Sequence, residues 1–291
     1  MPRLIPAKSI LSKVKDAPDS WFGITYNMNL YRGCQHQCIY CDSRSECYQL
    51  GDLADIRIKE NALALLEKEL KSKRTKGTIG FGSMNDPYMP IEKSEELVRG
   101  ALKLLARYHF PVHILTKSDL IVRDIDLLQQ LSTNYAAASL TITTSNDELA
   151  RVIEPAAPVS SRRFEAIRRL SEAGIYAGVM FMPLLPFVND TWEDVEDLIL
   201  RAKDAGAGYL LFYPGVTLRK GSREYFYQKL ESYFAGIKER YIASYGEQYA
   251  CSSPNSDYLM RRAKALCEKI GLPMKMNFFR KVSDTQLGFD L

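Results

Sequence analysis

The stretch NLYRGCQHQCIYCDSRSECYQL, residues 29–50, holds four of the chain's six cysteines. Cys34, Cys38 and Cys41 follow the spacing C-x3-C-x2-C, and Cys47 comes after the charged run DSRSE. Three readings are open: a disulfide staple, a zinc site, or an iron–sulfur centre. No window of the 291 residues reaches the apolar length of a membrane span, and the start MPRLIPAKSILSKVKDAPDS lacks the apolar core of a signal peptide. A cytoplasmic protein is therefore expected, and cytosolic thiols at close spacing serve metals or catalysis more often than disulfides. A closed zinc site wants four ligands, usually as two cysteine pairs, and here no second pair stands nearby. Thiolates are the usual ligands of a 4Fe-4S cluster, and three of them leave one iron open for an outside ligand.

Outward from this loop the chain alternates short β-branched or aromatic runs with longer segments of helical period. FGITYNMNL (22–30) leads into the cysteine loop and a helix over 59–74, and GTIGFGS (77–83) precedes a helix from Glu92 to about Tyr108. VHILTK (112–117) is followed by IDLLQQL, AAASLTITT (136–144) by RRFEAIRRLSEAG, and AGVMFMP (177–183) by WEDVEDLILRAKDAG. The sixth run, GYLLFYP (208–214), opens into a helix-rich tail. Six such units call for a parallel sheet with helices outside it, either open and doubly wound or curled into a barrel. In both cases the chemistry belongs at the carboxyl ends of the strands. GCQHQCIYC, SMNDPY, TKSD, TITTSN and MPLLP all fall there.

Hydrophobic residues at 46% and charged ones at 25% are ordinary for a globular chain. A net charge of +4, from 39 basic and 35 acidic residues, does not by itself require a polyanionic partner. Basic and aromatic residues mix in KELKSKRTKG (68–77), SSRRFEAIRRL (160–170) and MKMNFFRKV (274–282). The first two lie on outer helices and read as solvated faces, whereas the third is a candidate nucleic-acid contact. The tyrosines of SREYFYQKLESYFAGIKERYIASYG, at helical spacing, read first as core packing that also shapes the pocket.

The cysteine loop resembles the signature of the radical S-adenosylmethionine (SAM) superfamily, with the same spacing and an aromatic residue, Tyr40, directly before the third cysteine. GSMNDPYMPIE, TKSDLIVRDIDLL, EPAAPVSSRRFEAI and AGVMFMPLLP are similar to the spore photoproduct lyase-like branch, especially its uncharacterised bacterial members. In that branch Gln is common where Met89 stands, and Thr where Asn85 stands. The resemblance covers roughly residues 20–190 and does not extend to the tail.

The resemblance implies a partial (β/α)6 TIM-like barrel over 21–215, an N-terminal extension over 1–20 and a helix-rich C-terminal extension over 216–291. It implies a [4Fe-4S] cluster on Cys34, Cys38 and Cys41, with SAM bound to the open iron and cleaved to methionine and a 5'-deoxyadenosyl radical. The organic chemistry is then the cofactor's, while the protein supplies position and exclusion of water. A reducing partner such as a flavodoxin or ferredoxin is expected, on a monomer with no membrane contact. Lys117 aligns with a lysine that pairs with the SAM carboxylate, and Thr141 and Thr143, two apart on a strand, face one side toward the ribose. Asn85 or the Ser83 backbone is expected near the methionyl amino group, with Asp86 supporting the loop and Tyr88 facing the substrate as a hydrogen-atom donor. His36 is expected to organise the loop, and Arg163 to join the cofactor side through an ion pair with Glu154.

True photoproduct lyases carry a hydrogen-donating cysteine where Ser83 stands, and a hydroxyl O–H bond is too strong for that task. The substrate is thus open between a nucleic acid or nucleotide and a peptide or small metabolite. A cluster protein for electron transfer or sensing, and a zinc-binding non-enzyme, are the competing classes.

Overall fold

Along β-strands successive side chains point to opposite faces, so a strand buried on both sides reads as a nearly unbroken apolar run. AAASLT, residues 136–141, is such a run and is buried at every position. Ala136, Ala138 and Leu140 join the large apolar cluster under the outer helices, leaving Ala137, Ser139 and Thr141 to the inner face. The computed structural model describes residues 3–14 and 22–280.

Two short strands, β1 (Arg3–Ile5) and β2 (Leu11–Lys13), precede the first core strand, β3 (Tyr26–Met28). β4 (Tyr31–Arg32) leads into the cysteine loop, after which come β5 (Arg57–Lys59) and α1 (Ala62–Ser72). β6 (Ile79–Phe81) is followed by α2 (Glu92–Glu95) and α3 (Leu97–Arg107), and β7 (Val112–Thr116) by α4 (Ile125–Ser132). β8 (Ala136–Thr141) precedes α5 (Asp147–Ile153) and α6 (Ser160–Glu172), and β9 (Tyr176–Phe181) precedes α7 (Trp192–Asp204). β10 (Leu210–Phe212) ends the repeat. The tail adds β11 (Gly215–Thr217), α8 (Ser222–Tyr233), α9 (Ile237–Tyr245), β12 (Ala250–Ser252) and α10 (Ser256–Ile270).

The main sheet has the order β10-β9-β8-β7-β6-β3-β2, parallel throughout except for antiparallel β2. Its six parallel strands with helices outside form a partial TIM-like barrel that stays open between β10 and β2. β1, β5 and β4 form a separate three-stranded sheet, and β11 pairs with β12. The open edge of β10 is met by the segment after α10, where the Leu210 N–H donates to the Pro273 carbonyl at 2.9 Å.

The helix expected from Glu92 to about Tyr108 is two helices. Glu96 takes a left-handed φ of 50° between them, because the Glu92 carboxylate turns inward to accept from the Val98 N–H at 3.0 Å. Gly82 turns the chain out of β6 at φ +90°, where a Cβ would fall 1.9 Å from the Leu115 carbonyl oxygen. Only glycine fits there, and the turn brings Ser83–Asp86 over the strand ends. The segment 274–282 lies partly outside the described residues, as do residues 1–2 and 15–20 of the N-terminal extension.

Candidate functional site

The cysteine loop is held from three sides. Gly33, at φ +88°, passes so close to the 53–55 segment that a Cβ would lie 2.7 Å from the Asp55 carbonyl oxygen, and the Cys34 N–H donates to the Leu53 carbonyl at 2.8 Å. The Ile39 N–H donates to the Ile153 carbonyl at 2.9 Å, and the Ala156 N–H to the His36 carbonyl at 3.2 Å. Beneath the loop, Ile39 packs in an apolar cluster with Ile153, Val216, Leu218, Phe226, Leu230 and Tyr241. The tail thus supplies much of the loop's apolar support.

Cys34, Cys38 and Cys41 line one cavity of about 470 Å³ at the carboxyl ends of the strands. Tyr40, Ser83, Asn85, Asp86, Lys117 and Thr141 share it, with Met180, Met182 and Tyr213 from the far strands. Such a volume suits one ligand of cofactor size. Burial pushes the Cys34 thiol up to about 11 and Cys38 also above its ordinary value. Buried thiols of this kind become thiolates only beside strong positive charge, which a metal centre supplies. Among the described residues no three His, Cys, Asp or Glu side chains gather tightly enough for a single ion. Three thiols of one irregular loop that open on a single cavity fit the ligand set of an iron–sulfur cluster.

Asp86 ties the surrounding loops together. One carboxylate oxygen accepts from the Tyr88 N–H at 2.9 Å and the Thr116 hydroxyl at 2.6 Å, and the other accepts from the Lys117 N–H at 2.6 Å. His36 Nε2 lies 3.2 Å from that second oxygen. Burial opposes the Asp86 charge, but His36 and these donors outweigh it and hold the carboxyl down to about 2. His36 Nδ1 faces the Ala156 carbonyl at 3.2 Å, so both ring nitrogens point at acceptors.

Lys117 extends into the cavity with its ammonium 5.6 Å from the Tyr40 ring centre. Burial alone lowers its proton affinity, but nearby Cys38 and Glu154 more than offset this, and the group is held above its ordinary value. Among the described residues it forms no ion pair within 4.0 Å, although Glu154 and Asp86 lie near enough to favour its charge.

Tyr88, Thr143 and Arg163 lie elsewhere than expected. Tyr88 is fully buried, and its hydroxyl donates to Asp124 at 3.1 Å inside an ion network with Arg99 and Arg123. It therefore does not face the cavity. Thr143 lies beyond the end of β8, and its hydroxyl donates to Glu154 at 3.0 Å and meets the Tyr40 hydroxyl, which also bonds Glu154. Arg163 is fully buried behind this group, pairing with Glu154 at 2.5 Å and donating to the Thr141 carbonyl at 2.9 Å. The Glu154–Arg163 pair expected from the sequence is thus present, as a support under Tyr40 and not as a cavity wall. Although burial opposes its charge, Arg163 and Lys117 hold the Glu154 carboxyl below its ordinary range.

Met89 has a local explanation. Its thioether accepts the Gln35 N–H at 3.1 Å, a weak acceptor in a fully buried position. Asn85 donates its side-chain amide to the Tyr31 carbonyl at 2.6 Å. Cys47 is exposed, 3.1 Å from the Ser45 hydroxyl, whereas Cys251 and Cys267 are buried. Asp42 and Tyr48 also line the cavity and were not foreseen, since Arg219 of the tail orients both at 2.6 Å from 177 and 171 positions away.

The profile of the radical SAM superfamily matches residues 28–202, more than half of the chain. The uncharacterised protein MJ0683 of Methanocaldococcus jannaschii is 37% identical over 171 residues, which are 58% of this chain and 63% of that protein. The uncharacterised protein Rv2578c of Mycobacterium tuberculosis is 32% identical over 228 residues, 75% of this chain and 66% of that protein. The chain thus spans a little under two thirds of the length of these relatives. The radical SAM Nalpha-GlyT isomerase of Pseudomonas phage M6 is 24% identical over 61% of this chain and 36% of its own length. Among solved structures, spore photoproduct lyase complexed with dinucleoside spore photoproduct superposes with a TM-score of 0.64 at 16% identity, covering 92% of this chain and 79% of the lyase. With the cysteine loop, the partial barrel and the profile match in agreement, the chain belongs to the radical SAM superfamily and has the fold of spore photoproduct lyase.

Proposed function

We propose that this chain is an enzyme that cleaves SAM reductively, with Cys34, Cys38 and Cys41 as the three ligands of a [4Fe-4S] cluster. The observation that carries the reading is that three buried or half-buried thiols and one ammonium without a close ion pair, Lys117, share a single cavity. A cluster bound there and reduced by an outside donor would supply the one electron that breaks a carbon–sulfur bond of SAM, giving methionine and a 5'-deoxyadenosyl radical for hydrogen abstraction. Lys117 holds the SAM carboxylate, and Thr141 and the Ser83–Asn85 turn border the rest of the molecule. Tyr40, fixed by Glu154 and Thr143, sets the floor beneath Lys117. Val216 and Thr217 make the tail one wall of the site, with Met180 and Met182 keeping the far side apolar.

Reconstitution with iron and sulfide under anaerobic conditions, followed by dithionite and SAM, tests this. 5'-Deoxyadenosine is the expected product. A stable cluster that yields none indicates an electron-transfer or sensor protein, and zinc without the brown absorbance of a cluster indicates a zinc-binding non-enzyme.

On the substrate side we infer a nucleic acid or nucleotide, supported by the structurally similar lyase, whose complex holds a dinucleoside spore photoproduct. Salt-sensitive binding of an oligonucleotide by the reconstituted protein is expected. Absence of binding at low salt favours a peptide or small metabolite.

A further inference from the structure

The cysteine loop faces the cavity on one side and α8 on the other. Phe226 and Leu230 of α8 are fully buried against Ile39. The adjoining stripe, Tyr225, Lys229 and Tyr233, is spaced four residues apart and forms one helical face, with Tyr233 53% exposed. Arg44 of the cysteine loop lies over Tyr225 at 3.9 Å, and Lys229 lies 5.3 Å and 5.9 Å from the rings of Tyr225 and Tyr233. Two cations and two aromatic rings thus sit together on the tail side of the cysteine loop, and none of the four lines the cavity.

Neighbouring cations are neutralised locally: Lys220 by Glu46 at 3.1 Å, Lys238 by Glu231 at 2.8 Å and Arg219 by Asp42 at 2.6 Å. Among the described residues Arg44 and Lys229 have no carboxylate within ion-pair distance. From this face a continuous set of contacts runs inward. The Tyr225 ring touches Arg44, Arg44 donates to the Gln37 side chain at 2.6 Å, and Gln37 donates to the Cys34 carbonyl at 2.5 Å.

We propose that Arg44, Tyr225, Lys229 and Tyr233 form the docking face for an acidic protein carrying a one-electron flavin or iron–sulfur centre. The proposal rests on the cluster assignment above. One electron leaves the reduced carrier and enters the oxidised cluster, and no bond forms or breaks. Electron transfer falls steeply with distance, and this face connects to the Cys34 backbone through Arg44 and Gln37, neither of which lines the cavity that SAM and substrate would fill. Uncompensated cations steer an acidic partner and give its association rate a strong dependence on salt.

The test is stopped-flow reduction of the reconstituted cluster by flavodoxin hydroquinone, with dithionite as the small reductant. Lys229→Glu is expected to slow reduction by flavodoxin about tenfold at low ionic strength, with the gap closing as salt rises, while Lys229→Arg keeps the wild-type rate. Dithionite is expected to reduce all three proteins equally. An unchanged flavodoxin rate in K229E overturns the docking face, as does equal slowing with dithionite. Loss of oligonucleotide binding in K229E with the flavodoxin rate intact overturns it in favour of a nucleic-acid surface. A chain that assembles no brown cluster shows a different failure, that of the cluster assignment itself.

Discussion

Nε2 of His36 lies 3.2 Å from a carboxylate oxygen of Asp86, which joins the cysteine loop to the turn after β6. The same carboxylate accepts from Tyr88, Thr116 and Lys117, so one side chain fixes three segments of the cavity. Asp86→Ala leaves those buried donors without an acceptor and is expected to cost about 3 kcal/mol of stability. Denaturant unfolding of the chain before and after reconstitution measures this. A loss within about 0.5 kcal/mol would show that water replaces the carboxylate.

Lys117→Met removes the cavity's unpaired cation and is expected to weaken SAM binding at least about tenfold, or about 1.4 kcal/mol. Iron and sulfide content should stay at the wild-type level, since among the described residues the ammonium makes no ion pair within 4.0 Å and its approach to the loop is a 5.6 Å contact with the Tyr40 ring. Equilibrium binding of SAM to the reconstituted variant reads the effect, and an unchanged affinity would assign the SAM carboxylate to another group.

Cys47 is exposed and bonds only to Ser45, whereas Cys34, Cys38 and Cys41 share the cavity. Cys47→Ala is expected to retain its iron and its 5'-deoxyadenosine production, and alanine at any of the other three is expected to lose both. Loss of iron from the Cys47 variant would mean that the ligand set is wrong.

His113 is buried inside the barrel, hydrogen-bonded to Ser139 at 2.7 Å, and burial lowers it from 6.5 to about 4. The folded chain therefore holds it neutral. Its contribution is complete above the unfolded value of 6.5 and is lost as pH falls from there toward 4, for a total on the order of 3 kcal/mol. Unfolding free energies taken between pH 7.5 and 4.5 should show that decline, and His113→Gln should flatten it. An equal slope in the variant would place the acid sensitivity elsewhere.

The repeat was legible because buried parallel strands leave unbroken apolar runs: β7 and β9 lie within two residues of their expected bounds, and β8 starts where expected and ends three residues early. The three-stranded sheet of β1, β5 and β4 was not, because its strands are two or three residues long and no alternation can show at that length. α5 was also missed, although Asn146 caps it by accepting from Glu148 and Leu149 at 2.8 and 3.1 Å. In the site, spacing alone singled out the three cysteines. Tyr88 and Thr143 misled because residue type says nothing about which side of a loop carries the hydroxyl. Asp42 and Tyr48 carried no local signal, since Arg219 meets them only after the partial barrel and the tail have folded together.

The apolar support under Ile39 has a consequence for the order of events during synthesis. The thiols of Cys34, Cys38 and Cys41 leave the ribosome first, and Val216, Phe226, Leu230 and Tyr241 follow nearly two hundred residues later. Domains emerge from the amino end, so the nascent loop is made long before its cover. Iron loading is therefore expected to belong to the finished chain. A ribosome-stalled chain ending before residue 216 should take up no stable cluster in an anaerobic translation extract, and stable uptake there would show that the loop matures unaided.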